Sequence, residues 1–158
     1  MLRPLNKADA EFLCSIFKDN LEYYNIFFDP ETDVSQWERR IDFFLNNNGI
    51  HHFIIEEEKI PVGWFSYLDC PDQEREVGIL VIKKDFLYCG YGKKTFEEFF
   101  EMCRADKVHT IFLSVNKDNE RAIKFYKKFG FEIYAEEVIP QCNDGIDVEQ
   151  YKMKLNLV

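Results

Sequence analysis

The sequence predicts one domain of the α/β class (α+β type), with a mixed, mostly antiparallel central sheet flanked by helices. Three observations predict this architecture. Apolar runs at 52–57 and 62–68, joined by a short turn, indicate a hairpin. The β-branched run at 108–115 indicates a buried strand, and apolar residues at helical spacing recur at 96–103 and 122–129. The length of 158 residues suits one domain, so we assign residues 1–158 to it.

The N-terminal third predicts a short strand followed by two helices. Residues 2–5 form a short, mostly apolar stretch that includes a proline, which is typical of an edge strand. Asn6 is the expected N-cap of the first helix. Ser35 and Glu38 form a capping-box pattern for the second helix, which Gly49 ends.

The middle of the chain predicts three strands, a loop and a helix. The hairpin is followed by a third strand at 75–82 and by a loop with two glycines at 86–92. The next helix presents one apolar face, made by Phe96, Phe99, Phe100 and Cys103.

The C-terminal part predicts a strand, a helix and two final strands. The strand at 108–115 leads to a helix that starts at Asp118 and ends at Gly130. Residues 131–134 and 151–155 are the last strands. The predicted order is therefore β-α-α-β-β-β-α-β-α-β-β, and this order belongs to an α/β mixture with a largely meandering sheet.

Composition excludes several classes of function. The chain has 20 Lys and Arg against 29 Asp and Glu, a net charge of −9, which disfavours nucleic-acid binding. No apolar run approaches the roughly 20 residues of a membrane span, and the N-terminus has no hydrophobic signal region. Cysteine and histidine spacing predicts no metal site. We therefore expect a cytoplasmic protein that binds neither membranes nor nucleic acid.

A glycine loop marks a candidate anion site. The segment Gly90-Tyr91-Gly92-Lys93 follows a strand and opens a helix, so its backbone N–H groups and the helix dipole can face an anion. Thr95 stands where the dinucleotide pattern needs a third glycine, and the spacing of the P-loop is not met either. A tight turn and a phosphate cradle both fit this spacing.

A second segment places polar groups on one helix face. Asn119, Ala122 and Tyr126 are spaced i, i+3 and i+7, and Gly130-Phe131 follows. Asn119 offers an amide near the helix start, and Tyr126 offers a phenol further along. A helix with an N-terminal cap and a core tyrosine fits the same residues.

Together the two segments resemble the GCN5-related N-acetyltransferase (GNAT) family. Gly90-Tyr91-Gly92 follows the strand at 76–82, the segment at 119–131 follows in turn, and the element order agrees over nearly the whole chain. The family usually has Arg or Gln where Leu87 stands. The resemblance implies transfer of an acetyl group from acetyl-CoA to a primary amine of a small molecule or peptide, by direct attack.

The resemblance also implies residues that hold acetyl-CoA. Amides at 88–93 are expected to bind the pyrophosphate, and the splayed strand end at 81–82 is expected to pair with the pantetheine arm. The implied cofactor-binding residues are Val81, Ile82, Leu87, Tyr88, Cys89, Gly90, Tyr91, Gly92, Lys93, Asn119, Ala122 and Tyr126. Basic spots at 93–94 and 127–128 are expected near the phosphates.

Catalysis requires a group that protonates the leaving thiolate and one that takes the amine proton. In the family frame Tyr126 is the acid and Glu76 the base. Alternation along the strand places Glu76 on one face with Gly78, Leu80 and Ile82; an exposed carboxylate without a role fits Glu76 equally well. Tyr24 and Phe28 are the expected acceptor-binding residues.

Two alternatives stay open. The chain could be a GNAT-fold regulatory module that holds CoA and catalyses little, for which Leu87 is the main support. It could also be an aromatic-rich interaction domain in which the glycine loop is only a turn. The resemblance further implies that a homodimer can form, because family members are often dimers.

Overall fold

The computed structural model describes residues 1–20, 33–140 and 145–157. Their seven strands are β1 (Leu2–Pro4), β2 (Ile50–Glu57), β3 (Ile60–Cys70), β4 (Glu74–Ile82), β5 (Thr110–Asn116), β6 (Glu132–Ile139) and β7 (Val148–Asn156). The four α-helices of these ranges are α1 (Ala10–Asp19), α2 (Val34–Leu45), α3 (Tyr91–Ala105) and α4 (Glu120–Lys128). One sheet with the order β1-β2-β3-β4-β5-β7-β6 contains all seven strands, and of the adjacent pairs only β4–β5 is parallel. The predicted fold class and element order are confirmed.

The start of α2 differs from the prediction. Asp33, not Ser35, is the N-cap: its carboxylate accepts the backbone N–H of Gln36 at 2.9 Å, and the Gln36 side chain accepts the N–H of Asp33 at 2.7 Å. The capping pattern of Asp33 and Gln36 overlaps with the predicted pattern of Ser35 and Glu38. The carboxylate of Asp33 is favoured as the N-cap because it interacts with the positive end of the helix dipole. The bond from Gln36 also lowers the pKa of Asp33.

Other boundaries shift by a few residues. The helix predicted from Asp118 begins at Glu120, with Asn119 as its N-cap. The strands predicted at 131–134 and 151–155 extend to 132–139 and 148–156. The extra residues of β6 include two adjacent glutamates on an edge strand, so hydrophobicity alone did not mark them.

Each face of the sheet has its own core. Helices α3 and α4 pack on one face, where Phe96 contacts several aromatic rings, among them Phe65, Phe99, Phe129 and Phe131. Helices α1 and α2 pack on the other face, where Trp37 meets Trp64 edge to face at 5.8 Å. Much of the aromatic content therefore fills the two cores.

A β-bulge in β4 changes which face of the sheet its side chains point to. Tyr67 pairs with Val77 while Ser66 pairs with Ile79, so Gly78 is an extra residue in β4. Val77 lies in the core under α3, whereas Val81 lies in the core under α1 and α2. The prediction that Glu76 shares a face with Leu80 and Ile82 is therefore wrong, and Glu76 points to the α1–α2 side.

Strands β4 and β5 separate after a short parallel contact. Their pairing covers Glu74–Val77 against Thr110–Leu113. Beyond it, β4 continues to Ile82 paired with β3, and β5 continues to Asn116 paired with β7. A gap therefore opens within the sheet, and alternate peptide groups of β4 face it without a β5 partner.

The described ranges contain neither a membrane-spanning helix nor a metal-binding cluster. None of their helices is long and apolar enough to cross a membrane. The same ranges contain no group of three or more side chains arranged to hold a metal ion.

Candidate functional site

A cavity of about 1080 Å³ occupies the gap between β4 and β5. It reaches both faces of the sheet. On the helix side it is lined by residues that include Phe125, Tyr126 and Phe129, and on the other side by residues that include Ser66, Glu76, Ile79 and Ser114. Its volume suits a sizeable organic ligand. A ligand held against α3 and α4 can thus be reached from the opposite face of the sheet.

The N-terminus of α3 forms one end of the cavity. Gly90 is the N-cap, has a positive φ of 82°, and supplies no side chain to the first turn. Within the described residues no protein group accepts the N–H groups of Tyr91, Gly92 and Lys93, which are the donors that a helix start leaves open. Three converging amides and the helix dipole make this end suitable for an anion.

Gly92 lets α3 approach α4. A Cβ at this position would lie 3.3 Å from the Phe125 ring, so the ring would have to shift by a few tenths of an ångström to admit any larger residue. The left-handed φ of Gly90 and the close approach at Gly92 explain both glycines of the loop. The arrangement fits a phosphate cradle, which is more than a tight turn requires.

Most predicted cofactor-binding residues line the cavity. These are Val81, Ile82, Leu87, Tyr88, Gly90, Tyr91, Gly92, Lys93, Asn119, Ala122 and Tyr126. Cys89 is not among the lining residues: its exposed thiol lies 3.6 Å from the carbonyl oxygen of Leu87. The side chain of Cys89 therefore does not face the cavity, and Cys89 can contribute only backbone groups to the predicted cofactor-binding loop.

Asn119 combines the two roles that the sequence left open. Its Oδ1 accepts the backbone N–H of Ala122 at 3.2 Å and so caps α4. The cap uses only the oxygen, and the amide N–H groups of Asn119 stay available on the cavity wall. Capping and ligand contact are therefore compatible.

Tyr126 lines the part of the cavity that faces α3 and α4. It is 9 % exposed, packs against Phe96 and Phe131, and lines the cavity. Burial raises the pKa of its phenol to about 12, so the hydroxyl is protonated at neutral pH. A buried, protonated phenol can donate a proton or a hydrogen bond to a ligand.

Glu76 lies on the opposite side of the gap. It is exposed to the cavity on the face that the bulge assigns to it. Within the described residues its carboxylate forms no hydrogen bond and no ion pair within 4 Å, and Lys152 is the cation that interacts with it electrostatically. Glu76 and Tyr126 therefore line one cavity from the two faces of the sheet, with β4 between them.

Sequence reasoning missed a polar wall on β5 and β7. Gln150 is 6 % exposed and donates through Nε2 to Oδ1 of Asn116 at 2.7 Å, and both residues line the cavity. Ser114, also on the wall, donates to Glu137 at 3.3 Å. The polar residues at positions 114 and 116 alternate with apolar residues in β5, and this alternation could have predicted the polar wall from the sequence.

Four basic side chains line the cavity: Lys93, Arg121, Lys124 and Lys128. The sequence pointed to Lys93 and Lys128 but also to Lys94, which pairs with Glu57 at 3.6 Å and lies off the cavity. Lys127 is not on this wall either.

Tyr24 and Phe28, the expected acceptor-binding residues, lie outside the described residues.

Comparison with known proteins agrees with this geometry. The model of the acetyltransferase (GNAT) family matches residues 13–131. No curated protein sequence matches significantly. Among solved structures, the ribosomal-protein-alanine N-acetyltransferase of Brucella melitensis aligns over 99 % of both chains, at 21 % identity and a TM-score of 0.78.

Two further structures were determined with the cofactor. The spermidine N-acetyltransferase of Vibrio cholerae, in complex with CoA and spermine, has a TM-score of 0.82 at 17 % identity and covers 99 % of this chain and 94 % of its own. A putative acetyltransferase of Salmonella typhimurium with acetyl-CoA has a TM-score of 0.75 at 16 % identity, covering 100 % and 94 %. At these identities the likeness concerns the fold.

Proposed function

The chain belongs to the acetyltransferase (GNAT) family, and we propose that it transfers an acetyl group from acetyl-CoA to a primary amine of a small molecule or peptide. The observation that supports this most strongly is the cavity through the sheet. It joins an amide-lined anion site, a protonated phenol and the carboxylate of Glu76. Those are the groups that such a transfer requires.

Acetyl-CoA fits the helix side of the cavity. The open N–H groups at the start of α3 suit the pyrophosphate, and the edge of β4 near Val81 and Ile82, which β5 does not pair, suits an extended arm that accepts strand-like hydrogen bonds. Asn119 offers further N–H groups beside that arm. The co-substrate supplies a thioester, whose acetyl carbon is the electrophile.

The amine enters from the side of Glu76. The bulge at Gly78 turns this carboxylate away from α3 and α4, so it faces a second ligand and not the cofactor side. A carboxylate that no hydrogen bond of the described residues occupies attracts an ammonium group and can then accept its proton, directly or through a water.

In the reaction we propose, the amine nitrogen forms a bond to the acetyl carbon and the bond from that carbon to sulfur breaks. Glu76 takes the proton that the amine loses. Tyr126, protonated because burial raises its pKa, gives a proton or a hydrogen bond to the departing thiolate. A backbone N–H near Ile82 stabilises the oxyanion. No covalent enzyme intermediate is needed, consistent with the position of Cys89 off the cavity.

The acceptor is a cationic amine. A net charge of −9 and the carboxylate of Glu76 on the cavity wall favour a positively charged partner such as a polyamine, an aminoglycoside or a protein N-terminus. Two acetyltransferases with the same fold are named for spermidine and for the alanine of a ribosomal protein. We expect the chain to be active with one of these cationic amines.

Calorimetry with acetyl-CoA, followed by a thiol-release screen over amines, tests the proposal. Binding together with amine-dependent release of CoA supports it. A regulatory module that holds CoA is the second candidate, favoured by the apolar Leu87 at the loop, and binding without release on any amine supports that candidate. Failure to bind acetyl-CoA contradicts both.

A homodimer stays a prediction, which light scattering checks.

A further inference from the structure

The amide cradle lacks charged side chains of its own. From position 87 to 92 the loop consists of Leu87, Tyr88, Cys89, Gly90, Tyr91 and Gly92, all uncharged. The next residue, Lys93, lies 3.5 Å from the carboxylate of Glu97 in an ion pair. In a protein of net charge −9, a phosphate group held here needs a cation from another element.

Arg121 stands opposite the loop. It lies in the first turn of α4 and lines the cavity, and its guanidinium forms no ion pair within the described residues. A cation in the first turn of a helix opposes the helix dipole, so Arg121 does not stabilise α4. Lys124, one turn further, pairs with Glu120 at 3.9 Å. Arg121 is thus an unpaired guanidinium in an unfavourable place, facing a ligand cavity.

Tyr88 is the residue that Arg121 contacts. The guanidinium carbon lies 5.9 Å from the centre of the Tyr88 ring, across the mouth of the cavity. Tyr88 is 89 % exposed and has a positive φ of 64°, a conformation that favours glycine. No burial of the ring offsets this strain, and strained residues of this kind concentrate at ligand sites.

We propose that Arg121, oriented by the face of the Tyr88 ring, binds a phosphate of CoA at the mouth of the cavity. This inference rests on the proposed function. A planar guanidinium binds phosphate oxygens in pairs, and an aromatic face limits its orientation. Arg121 supplies the positive charge that the loop lacks, and Tyr88 keeps it over the mouth. The phosphate is either part of the pyrophosphate or the 3′-phosphate of CoA.

Calorimetric titration of purified protein with CoA, dephospho-CoA and pantetheine tests the proposal. Replacing Arg121 by Gln is expected to weaken CoA binding by about ten-fold or more, as for a lost charge-assisted contact. Pantetheine, which has no phosphate, is expected to bind both proteins equally. An equal loss with dephospho-CoA assigns the contact to the pyrophosphate, and a loss confined to CoA assigns it to the 3′-phosphate.

Lys127→Gln is the matched control. Lys127 is exposed on the same helix, lies off the cavity, and carries the same charge. Its replacement is expected to change CoA binding by less than about two-fold, since salt and water screen an exposed charge that does not touch the ligand. An equal effect of Arg121→Gln and Lys127→Gln, or unchanged CoA binding in Arg121→Gln, overturns the proposal.

A second variant tests the aromatic partner. Asn tolerates positive φ, so Tyr88→Asn keeps the loop conformation while removing the ring. We expect an unchanged or higher melting temperature together with several-fold weaker CoA binding; unchanged binding overturns the role of Tyr88. If wild-type protein binds no CoA at all, the proposed function fails, whereas tight wild-type binding that survives Arg121→Gln defeats only this inference.

Discussion

Glu76 and Leu80 lie on opposite faces of β4, although they are four residues apart, because Gly78 is an extra residue in the pairing with β3. Without the bulge both would point to the same side of the sheet. With it, the side chain of Leu80 joins the core on the helix side while Glu76 faces the other half of the cavity. One bulge thus separates the two sides on which we place the cofactor and the amine.

Tyr126→Phe tests the acid. The change removes the hydroxyl and keeps the ring packing against Phe96 and Phe131. We expect acetyl-CoA affinity to stay within about two-fold while kcat falls by about ten-fold or more, the scale of a lost acid catalyst. Calorimetry and steady-state kinetics measure the two quantities. Unchanged kcat would exclude the role.

Glu76→Gln tests the base. The amide keeps the size of the side chain but cannot take a proton, so we expect kcat/KM to fall by about 100-fold with unchanged acetyl-CoA binding. Glu74→Gln is the matched control, because Glu74 is on the same strand and does not line the cavity. Equal kinetics for the two variants would show that Glu76 has no catalytic role.

Gly78→Ala tests the bulge. A Cβ at this position would lie 2.8 Å from Oγ of Ser66, so we expect a loss of about 1–3 kcal/mol in the free energy of unfolding. Denaturant unfolding measures it. Ser66→Ala removes the crowded oxygen, and the double variant is expected to recover part of the loss. Strict additivity of the two changes would show that this contact does not constrain the bulge.

His52 gives a pH dependence of stability. The ring stacks on Phe44 and also contacts Trp64, and burial, with a contribution from His51, lowers its pKa from 6.5 to about 4. Between these values the unfolded chain binds the proton more readily than the folded one. The stability is therefore complete above pH 6.5 and is lost as the pH falls toward 4.

We expect His52 to account for a loss of about 1–2 kcal/mol over that interval, allowing for partial solvent screening. Denaturant unfolding at a series of pH values measures the slope. His52→Phe, which preserves the stacking, should flatten it, and His109→Gln serves as the control because His109 lies outside this cluster. A slope that persists in His52→Phe would assign the acid sensitivity to other groups.

Local patterns in the sequence were enough for much of the fold. Hydrophobic spacing and glycine positions predicted the element order, and the loop at Gly90 and the face of Asn119 and Tyr126 were visible because each lies within one segment. These residues do line one cavity. They could be identified in advance since neighbours along a helix or loop need no tertiary information.

Features that depend on two distant segments could not be read in the same way. The bulge at Gly78 is set by the register with β3, so strict alternation placed Glu76 on the wrong face. Gln150 reaches the cavity because β7 lies beside β5, and Arg121 because α4 lies opposite the loop. Predicting them would require the strand order and the helix packing.

The most direct test of the central claim is amine-dependent acetyl transfer by the wild-type protein. Purified protein is incubated with acetyl-CoA and a panel of polyamines, aminoglycosides and peptides, and each mixture is analysed for free CoA thiol and for product mass. We predict thiol release that requires an amine, together with a product heavier by one acetyl group, and much slower formation by Tyr126→Phe. Acetyl-CoA binding without an acetylated product from any amine would contradict the account.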